Sequence, residues 1–209
     1  MKNLLLLAWA TLPVAATAYH FGPGQEHLRT DEAARLLDDA RAHAERAAEF
    51  GEDDPDARAA WTLAEAAYED ALQLLPEDAV DVARSVRLQR AKCQLQISEL
   101  PQATANLTEL LDELRDDPTV SRELFEDTRS TLANAQYYMT WLMRLEGEGR
   151  ESWEPRIEAA RQLYKDLVQS AEARGDDAAA ERAREDLEST VRLARMELKD
   201  LQGLPLPSQ

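Results

Sequence analysis

The sequence predicts an all-α protein of antiparallel helix pairs, about seven helices arranged as a short α-solenoid or a helical bundle. Three observations carry that reading. Ala, Leu, Arg, Glu and Asp dominate the 209 residues, while Val, Ile and Thr are sparse and rarely alternate, which favours helix over sheet. Apolar residues recur at three- and four-residue spacing through most of the chain. Gly and Pro are few and cluster at the breaks between those periodic runs.

Taken in order, "MKNLLLLAWATLPVAATA" has one cation at Lys2, an apolar run and the small-x-small ending Ala16-Thr17-Ala18. This is the plan of a signal peptide over residues 1–18. The apolar run is shorter than the ~20 residues a membrane span needs. The mature protein is therefore expected to be exported, periplasmic or secreted, with no stable membrane insertion. Residues 19–30 read as a flexible Gly/Pro-containing arm, 31–202 as one helical domain, and 203–209 as a tail.

Within the domain, Ala33, Leu36, Leu37, Ala40, Ala44, Ala47 and Ala48 mark an amphipathic helix over 31–50, with Thr30 or Asp31 as its N-cap. Asp54-Pro55 opens a second helix to about residue 75. Helices around Ala91 and from Leu100 follow. A long helix is expected over 119–145. Ser152 is the expected cap of the next, with Pro155 in its first turn, and "GDD" near Gly175 ends it. A last helix runs from about 177 to 201.

The second helix carries Ala64, Tyr68, Ala71 and Pro76 at the spacing A-x3-aromatic-x2-A-x4-P. Ala103, Leu107 and Leu110 repeat the offsets, as do Ala160, Tyr164 and Leu167. Small residues permit close helix approach and a large residue fills the gap between pairs. This phrase resembles the second helix of a tetratricopeptide repeat over about residues 56–170, with copies 39 and then 57 residues apart (Ala64 to Ala103 to Ala160). The resemblance implies a TPR-like α-solenoid that binds other proteins.

The formal charge of −17 repels a phosphate backbone, and Arg122, Arg129, Arg156 and Arg161 are interleaved with acids rather than gathered in a basic patch, so nucleic acid is excluded as a partner. The same charge favours basic segments of a protein or peptide partner. The excess of Arg over Lys, with abundant Ala, fits the codon usage of a GC-rich bacterial genome. Cys93 is the single cysteine and reads as a small buried hydrophobe with no histidine near it in sequence.

No phosphate loop, dinucleotide motif, nucleophile elbow or zinc-protease signature is present, so the chain is read as non-enzymatic, with no cofactor and no metal. The acids of "EDDPDA" (Glu52, Asp53, Asp54, Asp56) and Asp176-Asp177 read as helix-to-helix turns, and His20 as incidental to the arm. The aromatic stretch "ANAQYYMTWLMRL" has a wide apolar arc. It reads first as an interior helix touched on two sides. Its alternative is a partner-binding edge made of Tyr137, Tyr138 and Trp141, since Tyr and Trp keep a polar handle at wet surfaces. The functional reading is an exported binding or scaffolding module. Two alternatives stand beside it: a structural helical bundle of the cell envelope without a groove, and an enzyme with a helical site gathering His27 or His43 with carboxylates.

Overall fold

The computed structural model describes residues 23–50 and 54–201, and every regular element among them is helical. Eight helices are seen in these residues: α1 (Pro23–Glu49), α2 (Pro55–Leu74), α3 (Val80–Gln96), α4 (Leu100–Arg115), α5 (Arg122–Leu145), α6 (Arg150–Arg174), α7 (Asp177–Arg195) and the single turn α8 (Leu198–Leu201). Where one domain over 31–202 is expected, the described residues divide into two compact units, with the boundary between Ala83 and Arg84. The expected signal peptide and C-terminal tail lie outside the described residues.

In the first unit α1 packs on α2. The seam is largely alanine: Ala33, Ala40 and Ala47 on one side, Ala57, Ala60, Ala64 and Ala71 on the other, with Leu37 and Tyr68 as its large members, all buried. Short side chains set a close interaxial distance. Helix α1 begins earlier than expected, so residues 23–30 are helical rather than a flexible arm, and Thr30 and Asp31 lie inside the helix. Pro23 stands at its first position, a place proline favours, and Gln25, Glu26, Leu28 and Arg29 are good helix formers. Arg29 also reaches across to the Gln73 carbonyl in the last turn of α2, at 3.3 Å. Asp54 caps α2 by accepting from the Asp56 N–H at 2.9 Å.

The second unit is built on leucine. Leu88, Leu95, Leu100, Leu107, Leu110, Leu111, Leu114 and Leu132 form one core with Ala91, Ala103, Ala133 and Ala135 between them. The three copies of the Ala-x3-large phrase fall on α2, α4 and α6, the second helix of each successive pair. Of their positions all but Pro76 and Leu167 are buried: Pro76 is exposed just beyond α2, and Leu167 packs partly exposed against the leucine core. The unequal spacing follows mainly from helix length and from position within the helix: α5 has 24 residues against 17 for α3, and Ala160 is the eleventh residue of α6 where Ala103 is the fourth of α4.

Several buried polar groups of this unit find partners, the threonines locally and others across helices. The hydroxyls of Thr104, Thr128, Thr131 and Thr140 each donate to the carbonyl four residues back, at 2.7–2.8 Å. Gln94, buried on α3, accepts from Asn106 Nδ2 at 2.9 Å. Buried Arg84 donates Nε to Glu113 at 2.8 Å and Nη1 to Asp117 at 2.7 Å. Those bonds hold the Arg84 pKa above and the Glu113 pKa below its ordinary value. Asp117 is lowered to about 2, first by accepting from the Thr119 hydroxyl and amide and then by Arg84.

Three boundaries differ from expectation. The turn before α5 is longer than expected: Asp117 ties down Thr119, and Ser121 caps the helix by accepting from the Leu124 N–H at 3.2 Å. Helix α6 starts at Arg150 with Gly149 as its cap, so Pro155 sits in the second turn and Ser152 inside the helix. The expected helix over 177–201 is broken at Met196, whose backbone is extended. Arg144, buried on α5, donates to the carbonyls of Leu193 and Met196. These are the groups that would accept from residues 197 and 200 if the helix continued. The same guanidinium lies 4.9 Å from the Trp153 ring centroid. Leu201 of α8 then packs in a small cluster with Trp141, Ile157 and Leu193.

Candidate functional site

The aromatic stretch occupies the middle and end of α5. Tyr138 is buried in the leucine core and Trp141 is 4% exposed in the Trp141–Ile157–Leu193–Leu201 cluster. Tyr137 is half-buried and packs against both clusters, edge-on to Tyr138 at 6.2 Å and tilted to Trp141 at 6.4 Å. Two faces of one helix are thus covered at once, which explains the wide apolar arc. The Trp141 indole N–H is buried with no hydrogen-bond partner among the described residues. Burial pushes the Tyr137 phenol up; Arg192 opposes that and Asp186 adds to it. Tyr164 on α6 is pushed further, first by burial and then by Asp186, Tyr137 and Tyr138.

Asp186 belongs to a cleft bounded by α5, α6 and α7, with a volume of about 310 Å³. Its apolar lining is Leu167, Ala171, Ala179 and Ala183, and its polar lining is Glu126, Ser130, Arg174, Arg182 and Asp186. Position along the helices explains who lines it. Ala179, Ala183 and Asp186 recur on α7 at helical spacing, and Ala171 follows Leu167 by one turn on α6. Asp176 fixes the start of α7 by accepting from the Ala179 N–H at 3.0 Å, with Gly175 in the left-handed conformation just before it.

The charges differ in their partners. Glu126 is neutralised: it accepts from the Ser170 hydroxyl at 2.6 Å and from Arg174. Arg182 and Asp186 lie one turn apart on α7, yet neither has an ion pair or hydrogen bond among the described residues. Solvent reaches Asp186, but partial desolvation raises its carboxyl above the usual range, and the neighbouring Glu185 charge adds to that. The cleft therefore offers an apolar floor of small residues flanked by one uncompensated anion and one uncompensated cation.

The other sequence candidates are dispersed. His27 is exposed and His43 half-buried, both on α1 at well-separated positions. Asp54 and Asp176 serve as helix caps; Glu52 and Asp53 lie outside the described residues, as does His20. No group of three or more His, Cys, Asp or Glu residues is placed to hold a metal ion among the described residues. Cys93 is buried. No helix among the described residues is long and apolar enough to cross a membrane.

No known protein family, no curated protein and no solved structure matches this chain.

The cleft was not legible in the sequence. Asp186 is one of 41 acidic residues, and nothing in its local pattern distinguishes it from its neighbours. The faint signal is the pair Ala179 and Ala183, small residues on a charged helix, whose meaning depends on which helices flank it.

Proposed function

We propose that this protein is an exported, non-enzymatic protein-binding module whose TPR-like helix pairs hold a short segment of a partner. The observation that carries the reading is the cleft of α5, α6 and α7, with its Ala171–Ala179–Ala183 floor and unpaired charges. Stacked helix pairs bind through concave surfaces, and this cleft is a concave site walled by three successive helices. Tyr138 and Trp141 are spent on the core, so the binding surface is placed at the cleft, and only half-buried Tyr137 remains near it. The chain charge of −17 draws basic segments toward the molecule. Export rests on the N-terminal pattern of residues 1–18.

Photocrosslinking tests the binding reading. A benzophenone side chain at Ser130, in the cleft, is expected to give discrete crosslinked partners in envelope extract, and one at exposed Glu158 is not. Equal or absent crosslinking at both positions would leave the cleft without a role. It would favour the second reading, a structural bundle of the envelope, which the covered aromatic stretch and the helix-surface pairs Arg150–Glu154 and Arg184–Glu181 support. Fusing residues 1–18 to an enzyme active only outside the cytoplasm tests export, and a silent fusion would refute it.

A further inference from the structure

We infer that the cleft recognises a single lysine or arginine side chain of the partner segment, its aliphatic stem on Ala171, Ala179 and Ala183 and its charged head at Asp186; this rests on the cleft being the binding site. The volume of about 310 Å³ accommodates one long side chain and a small neighbour. Basic side chains cover apolar surface with their stems while the head seeks an anion, and the order of groups along α7, alanines and then Asp186, suits that. Among the lining carboxylates Glu126 is already committed to Ser170 and Arg174, whereas Asp186 has no counter-ion among the described residues. Asp186 is exposed, so its carboxylate is accessible for a charge-assisted hydrogen bond with an incoming cation whose stem lies on the alanines. Arg182, one turn earlier, sets the direction, disfavouring a second cation beside the first and favouring an acidic or carbonyl group there.

The test uses a 12-residue peptide library displayed on phage, selected against the purified protein, with the best peptide then titrated by fluorescence anisotropy. Enriched peptides are expected to share one Lys or Arg. Asp186→Asn is expected to weaken the best peptide at least tenfold, while Glu185→Gln, which removes the same charge next door, leaves affinity within twofold. Replacing the shared cation of the peptide by norleucine is expected to abolish the difference between wild type and Asp186→Asn. Enriched peptides without a cation, or equal losses in the two variants, would overturn the role of Asp186. Ser130→Trp separates the two levels: peptides that still bind this blocked cleft remove the cleft reading itself, whereas peptides lost with Ser130→Trp but indifferent to Asp186→Asn remove only the cation. A selection that enriches nothing above a bare-support control overturns both.

Discussion

Replacing Arg144 is the sharpest perturbation of this fold. Its guanidinium donates to the Leu193 and Met196 carbonyls and stacks on Trp153. Arg144→Ala leaves both carbonyls short of a donor at the buried end of α7, about 1–3 kcal/mol each, and removes a cation–π contact of about 0.5–2 kcal/mol. Against this, the parent protein bears the cost of desolvating the arginine, which is why burial lowers its pKa. The net loss is about 3 kcal/mol, in line with breaking other buried charged contacts. For a chain of this size that lowers the melting temperature by about 10 °C. With Trp9 and Trp61 replaced by Phe, the two remaining tryptophans, Trp141 and Trp153, both lie in the second unit, so their fluorescence during urea unfolding follows that unit, with helix content as a second probe. Arg144→Lys keeps the charge but not the fork, and is expected to fall between parent and alanine. Arg144→Ala within about 1 kcal/mol of the parent would show that the carbonyls find other donors and that Arg144 is not what breaks the helix at Met196.

Three further outcomes are expected. Glu113 and Asp117 titrate below their ordinary values of 4.5 and 3.8, Asp117 at about 2. The stability they confer is complete above those ordinary values and is lost as pH falls from about 5 toward 2; Arg84→Gln is expected to flatten that part of the urea-midpoint profile, and Thr119→Val to flatten the Asp117 portion further. Ser98, in the turn before α4, has a φ of 68°, so Ser98→Gly is expected to raise unfolding free energy by about 1 kcal/mol, and a loss would mean that the serine side chain holds the turn. Ala103 has no exposed surface in the leucine core, and Ala103→Leu is expected to destabilise by about 1–3 kcal/mol through overpacking, checked by the same urea transition.

Periodicity made the helices readable because each one buries a stripe, and a stripe leaves a spacing in the residue order. The Ala-x3-large phrase located the second helix of each pair even though its copies are unevenly spaced. Helix ends were less legible. Helix α1 extends back to Pro23 partly because Arg29 finds the Gln73 carbonyl, and α7 stops at Arg195 where a side chain from α5 takes its carbonyls. Both decisions are made by residues more than forty positions away, beyond the reach of local propensity. The division into two units also escaped the sequence reading, since the alanine seam and the leucine core share one helical period. The aromatic stretch was readable as a two-sided interior helix; the cleft beside it depended on which acids found partners.

The Arg144 clamp also has a consequence in time. Most packing here joins helices adjacent in the chain, and such contacts close quickly because little loop entropy is lost. The clamp joins residues 49 and 52 positions apart and spans all of α6. As the polypeptide lengthens, α3 to α6 can pair while the acceptors at Leu193 and Met196 do not yet exist. The fastening of the end of α7 onto α5 therefore waits until Met196 has been made, and the Trp153 environment becomes a marker for that step.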